Sequence, residues 1–266
     1  MVSAEICILF IADIVGKAGR QALQELLPGL VQEHEVTLVV ANGENAAGGF
    51  GLTREVLDEI HEAGVQVVTS GNHIWDKKEA LTLFTQDANL LRPANYPLGV
   101  PGRGNVVVRD RNGHLVGILN LMGRVFMGEL DDPFRVAERE LERMQPETNT
   151  ILVDFHAEAT AEKIAMGWYL DGRVSAVIGT HTHVQTADER LLPGDTAYIT
   201  DVGMTGPFDS VIGMKKEISL KRFLTGIPAR FEAASGDPWL CGAWVRVDTV
   251  TGRATGIGRI QKPWKP

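Results

Sequence analysis

Val174-Ser175-Ala176-Val177-Ile178 is an almost continuous apolar run that empties into Gly179-Thr180-His181-Thr182-His183. A short β-rich run of this kind predicts a strand covered on both faces, with two histidines just beyond its carboxyl end. If that end stays extended, alternate residues share a face, and His181 and His183 point into one locality. The same event occurs four more times upstream. Residues 6–12 release Asp13, residues 36–41 lead into Asn42-Gly43-Glu44-Asn45, and residues 65–69 precede Gly71-Asn72-His73. Residues 150–155 end on His156. In open α/β sheets, sites form in the crevice outside the carboxyl ends of the strands. Five such ends carrying carboxylate, amide or imidazole are therefore expected to meet.

Outward from these five, strands are predicted at 115–121, 196–200 and 242–247. Amphipathic helices are predicted at 20–33, 53–63 and 133–144, where spaced apolar residues alternate with charge. Strand and helix patterns in alternation predict an α/β layered architecture. Residues 203–238, rich in glycine and proline, read as long loops around one short element, and loops of that length are often functional. No repeat or linker interrupts the chain, so residues 1–266 are expected to form one domain.

Composition narrows the function. Hydrophobic residues at 44% and charged residues at 23% are ordinary globular values, which excludes disorder and coiled coil. Asp and Glu outnumber Lys and Arg by 34 to 26, and a net charge of −8 disfavours a protein that coats duplex nucleic acid. Two distant cysteines, Cys7 and Cys241, make neither a disulfide framework nor a thiolate zinc site. Met1-Val-Ser-Ala-Glu5 has no basic stretch, and the run at 6–12 is too short to span a bilayer. No membrane association is expected, and the expected location is the cytoplasm.

Each candidate also has an ordinary explanation. Asp13 could cap the following helix, Asn42-Gly43 is a common turn dipeptide, and a buried His156 could be a satisfied core residue. All of these would have to hold together. His34 and His61, in charged helical stretches, and His114, in a polar turn, follow no apolar strand and read as solvated surface. Lys17 and Arg20 open the first helix and read as exposed.

The resulting set is Asp13, Glu44, Asn45, Asn72, His156, His181 and His183, with His73 held apart. Seven ligands are too many for one tetrahedral ion, whereas two ions sharing a carboxylate account for the number. Mixed imidazole and oxygen donors suit iron, manganese, zinc or cobalt and disfavour calcium.

In these residues the sequence resembles the calcineurin-like metallophosphoesterases, and most of all their bacterial YmdB-like branch. The superfamily pattern of D-x-H, G-D, G-N-H, a single His and G-H-x-H is met by Asp13-Ile14-Val15, Gly43-Glu44-Asn45, Gly71-Asn72-His73, His156 and Gly179-Thr180-His181-Thr182-His183. Val15 stands where that pattern has a histidine, and Glu44 where it has the bridging aspartate. The Glu44-Asn45 pair, Asp154-Phe155-His156-Ala157-Glu158 and the stretch from Thr200 to Pro207 are similar to the YmdB-like branch. The resemblance implies a two-sheet β-sandwich flanked by helices, with a dinuclear centre at the strand ends. It implies one metal on Asp13, Glu44, Asn45 and His183, and a second on Glu44, Asn72, His156 and His181, with iron or manganese ahead of zinc or cobalt.

Two such metals, about 3.5–4 Å apart, would hold a bridging hydroxide that attacks phosphorus, with His73 protonating the leaving oxygen. The activity implied is a phosphodiesterase acting on small phosphodiesters, 2′,3′-cyclic nucleotides among them. A phosphomonoesterase and a metal-binding regulatory protein with little turnover are the alternatives, and an amidohydrolase is disfavoured by the order of its motifs. The expected partner is a small phosphoester, with self-association into a homo-oligomer left open. The loop at 203–213 is expected to shape the substrate pocket, with Thr205 as its probe.

Overall fold

The computed structural model describes residues 5–265, so residues 1–4 of the N-terminal stretch read above lie outside it. Two sheets pack face to face. In the first, β1 (Glu5–Ile11), β3 (Leu38–Asn42) and β4 (Val67–Thr69) run parallel, linked by α1 (Gly16–Glu33) and α2 (Arg54–Glu62). The long strand β12 (Pro238–Asp248) pairs antiparallel with β1 and, further along, with β11 (Met204–Pro207), while β13 (Ala254–Pro263) pairs antiparallel along its opposite edge. The two-residue β2 (Asp13–Ile14) pairs with β11 and completes this sheet.

The second sheet has the order β5 (Asn105–Arg109), β6 (Leu115–Met122), β7 (Ile151–His156), β8 (Ala176–Thr180), β10 (Ala197–Ile199) and β9 (Arg190–Leu191). Its four central strands, β6, β7, β8 and β10, are parallel. Crossovers through α4 (Pro133–Met144) and α5 (Thr160–Leu170) cover its outer face, while α1, α2 and α3 (Ala80–Gln86) cover the outer face of the first sheet. The helix-flanked two-sheet sandwich is thus the one expected.

The period-two alternation of each strand locates the site. Between the sheets, β1 presents Ile6, Ile8 and Phe10, β3 presents Leu38 and Val40, β7 presents Leu152, and β8 presents Ala176 and Ile178. Each large apolar side chain buried there contributes roughly 1.5–3 kcal/mol. Carried two residues further, the same parity falls on Asn42, Asp154 and Thr180, and along β7 on His156. All four are fully buried, and Asn42 Nδ2 reaches across to Asp154 Oδ2 at 3.2 Å. The inter-sheet layer therefore changes from hydrocarbon to polar groups at its carboxyl end.

Several elements lie where no strand or helix was expected. In β13, Gly256 and Gly258 interrupt the apolar pattern because the Trp244 ring on β12 lies over them; a Cβ on Gly258 would sit 2.6 Å from that ring. Helix α5 is masked by Gly167, whose missing side chain admits the Tyr198 ring. The stretch at 203–238 holds both β11 and α6 (Lys216–Thr225), one element more than expected.

Candidate metal centre

Asp13 does not cap α1, whose N-cap is Val15 with no side-chain hydrogen bond. Its Oδ2 instead accepts from the backbone N–H of His181 at 2.9 Å, and its buried Oδ1 has no hydrogen-bond partner among the described residues. Glu44 follows β3 in a tight turn, closed where its N–H donates to Asn42 Oδ1 at 3.1 Å. Gly71, after β4, lies so close to Glu44 and the His156 ring that any side chain there would overlap them.

The loop after β8 is not extended. His181 and His183 have φ of 101° and 63°, so left-handed backbone rather than strand alternation turns both rings inward. This corrects the period-two expectation while keeping its result.

Hydrogen bonding fixes which nitrogen each ring offers. Thr180 Oγ1 donates to Asp154 Oδ1 at 2.7 Å, so it can only accept from His156 Nδ1, 2.9 Å away. His183 Nδ1 donates to the carbonyl of Ile212 at 2.9 Å. His181 Nε2 lies 3.0 Å from Glu158 Oε2. Each ring thus places a proton on an outer partner and turns its other nitrogen into the centre, as ligating imidazoles do.

Those inner nitrogens meet oxygen. His156 Nε2 is 3.1 Å from Glu44 Oε1, 3.0 Å from Asn72 Oδ1 and 3.1 Å from His181 Nδ1. On the other side, Asn45 Nδ2 is 3.3 Å from His183 Nε2, and Asp13 Oδ2 is 3.9 Å from the same atom. Glu44 stands between the two groups, with Oε1 also accepting from Asn45 Nδ2 at 3.1 Å. One proton at His156 Nε2 must serve three acceptors. Without metal, burial penalises the charges of both Glu44 and His156, but their mutual attraction prevails. It draws Glu44 below and His156 above the ordinary range. Burial and the charge on His156 hold His181 down to about 3, and burial lowers His183, so both stay neutral. Burial pushes Asp13 well above the usual carboxylate range. The orphaned Asp13 Oδ1 and the donor-poor gap around His156 Nε2 fit a divalent cation.

His73 stands at the edge. Its N–H donates to Glu44 Oε2 at 3.0 Å, its Nδ1 is 2.9 Å from Asp76 Oδ2, and its ring meets Phe50 edge-on at 5.0 Å. It lines a cleft of about 440 Å³ that opens over Glu44, Asn45, His181 and His183. The 203–213 loop contributes Val211 and Ile212 to that cleft. Thr205 does not line it; buried, it donates to the carbonyl of Cys241 at 3.0 Å.

Sequence reasoning assigned no role to several residues that hold the centre. Asp154, raised to about 6 by burial, anchors Thr180 behind His156. Buried Lys163 donates to the Thr180 carbonyl and to Asp201 Oδ2, which accepts from Thr182 N–H at 3.0 Å. Asp154, Glu158 and Asp201 lie in the family-like stretches, a signal that could have marked them. Lys17 is exposed as expected, but Arg20 is not a surface group: it pairs with Glu59 and donates to the Ala46 carbonyl at 2.6 Å, bracing the Glu44 turn. His34, His61 and His114 are half-buried rather than solvated. His34 stacks on Trp244 and His61 pairs with Asp87.

A helix-flanked sandwich with carboxylate, amide and imidazole gathered at its strand ends is the architecture of the metallophosphoesterases. Within that class the chain belongs to the YmdB-like proteins, whose family model matches residues 9–260. It is 49% identical to the 2′,3′-cyclic-nucleotide 2′-phosphodiesterase of Bacillus subtilis, over 95% of this chain and 96% of that one. Two solved structures superpose with a TM-score of 0.92. One is a hypothetical protein from Thermus thermophilus, 43% identical over 98% of this chain and all of that one. The other is a novel phosphatase from Mycoplasma pneumoniae, 35% identical over 99% of this chain and 95% of that one.

Proposed function

We propose that the protein is a dinuclear-metal phosphodiesterase hydrolysing small phosphodiesters, with 2′,3′-cyclic nucleotides as the substrate class. The observation that carries this reading is the Glu44, His156 and His181 cluster, whose donor atoms lie within 4.8 Å of one another. Asp13, Glu44, Asn45 and His183 would hold one ion, and Glu44, Asn72, His156 and His181 the other, with Glu44 shared. Imidazole beside oxygen suits iron, manganese, zinc or cobalt alike, and the resemblance puts iron or manganese first. When bound, such a pair supplies an activated water and neutralises charge on the phosphoryl oxygens.

The chain's own part is orientation and proton transfer. Asp154 and Thr180 hold the His156 ring, Glu158 holds His181, and the Ile212 carbonyl holds His183. His73 is the proton donor to the leaving oxygen, with its Nδ1 placed 2.9 Å from Asp76 Oδ2, a contact that orients the ring. The substrate class is supported by the name of the Bacillus subtilis relative. A single-domain organisation belongs to the same proposal and is supported by the core shared between the two sheets. The cytoplasmic location is supported by two buried cysteines that are free thiols.

The test is elemental mass spectrometry on protein purified without chelator, paired with turnover of bis-p-nitrophenyl phosphate. Wild type should carry about two transition-metal ions per chain, and Glu44→Ala should lose both ions and activity. His73→Gln should keep its ions and lose about 10²–10⁴-fold in kcat. One ion or none, unaffected by Glu44→Ala, would overturn the dinuclear reading. Preference for the monoester p-nitrophenyl phosphate would make the enzyme a phosphomonoesterase.

A further inference from the structure

The cleft over the cluster is two-natured. Its floor is polar, but Phe50, Ile212, Met214, Phe223 and Phe231 make one wall aromatic and aliphatic. Phe50 and Phe231 pack against Met214 in a small apolar cluster with Val15 and Met204. The Arg222 guanidinium also lies over Phe231, 4.8 Å from its centroid. Phe223 is not in that cluster: it is carried by α6 and is 82% exposed. With Phe50, Ile212, Met214 and Phe231 it makes the lining of the cleft largely apolar, the usual character of a small-molecule site.

Two observations identify the partner's chemistry. None of the described residues lining the cleft is Lys or Arg, and two, Glu44 and Glu158, are carboxylates. A polyphosphate or nucleic-acid tail is therefore unsuited to it, whereas a flat, uncharged, apolar group is suited. In addition, Phe50 touches the ring of His73, so the apolar wall borders the residue that serves the leaving oxygen. In a nucleoside 2′,3′-cyclic phosphate, the leaving oxygen stays on the ribose that carries the base.

We propose that this wall is a nucleobase subsite, in which Phe223 stacks on the base while the cyclic phosphodiester lies over the Glu44, His156 and His181 cluster. The inference rests on the phosphodiesterase reading and adds a source of substrate preference to it. Every base has a π-face, so the subsite favours nucleosides over base-free diesters without selecting strongly among bases.

The experiment compares kcat/KM for adenosine 2′,3′-cyclic phosphate and for glycerol 1,2-cyclic phosphate, which has the same reacting ring and no base. In Phe223→Ala the ratio of the two values should fall about tenfold, chiefly through KM for the nucleotide. Phe223→Trp should restore the ratio. An unchanged ratio in Phe223→Ala overturns the proposal. Should the metal-loaded wild type hydrolyse neither compound, the phosphodiesterase reading fails. The subsite is then judged by calorimetric binding of adenosine 2′-monophosphate against glycerol 2-phosphate. A preference for the nucleotide that Phe223→Ala abolishes upholds the subsite, and no preference rejects it.

Discussion

His61 shows how little separates a structural histidine from a ligating one. Its Nδ1 donates to the carbonyl of Val65 at 2.9 Å, much as His183 donates to Ile212, but its Nε2 turns to Asp87 at 3.3 Å instead of to a shared centre. The close approach of the Asp87 carboxylate to Nε2 raises the His61 pKa above its ordinary 6.5, and the same contact lowers Asp87 below its ordinary 3.8. The histidine's contribution to stability is full below pH 6.5 and is lost as pH rises through its raised folded value. The aspartate's contribution is present above pH 3.8 and is lost as pH falls through its lowered one. The pair therefore supports the fold most between these limits. His61→Gln should cost about 0.5–1 kcal/mol near pH 5.5 and clearly less at pH 9. Thermal melts at both values read the difference, and an equal loss at the two would assign the effect to packing rather than charge.

At the scale of the element, the decisive part is the loop between β8 and residue 183, which a buried ion pair grips from behind. Lys163 and Asp201 are both almost fully buried, and between them they hold the Thr180 carbonyl and the Thr182 N–H on either side of His181. Removing one member of a buried pair costs about 3–5 kcal/mol, so Lys163→Met should melt much earlier. It should also carry less metal than wild type under conditions where both are folded. Retained metal in a destabilised variant would show that the loop keeps its shape unaided. The positions of the candidate ligands were legible because each follows the end of an apolar run. The grip was not, because Lys163 lies in a helix that Gly167 disguises and its partner is distant in the chain. The left-handed turns at His181 and His183 were equally hidden, since nothing in Thr180-His181-Thr182-His183 distinguishes a loop from a strand. Which group each ring would meet, Thr180, Glu158 or the Ile212 carbonyl, is decided by tertiary structure, although Thr180 and Glu158 lie in stretches the sequence had already marked.

For the whole molecule, the order of strands matters more than their number. Strand β12 lies between β1 and β11, so one of the last segments to be made occupies the interior of the first sheet. All eight candidate site residues lie at or before His183, yet Asp13 is held in place through β2, which pairs with β11, which in turn pairs with β12. A chain ending at residue 236 keeps every candidate ligand and should be insoluble or bind no metal. Elemental analysis of the soluble fraction checks this, and two ions on that fragment would show that the hairpin is dispensable. On the ribosome, the consequence is one of timing. From the moment β1 emerges, its open edge must wait for roughly the length of a whole domain to be translated before its proper neighbour arrives. An unpaired apolar edge of that kind invites wrong pairing. Slow elongation through the last third of the message should therefore lower the yield of active enzyme far more than the same delay placed earlier.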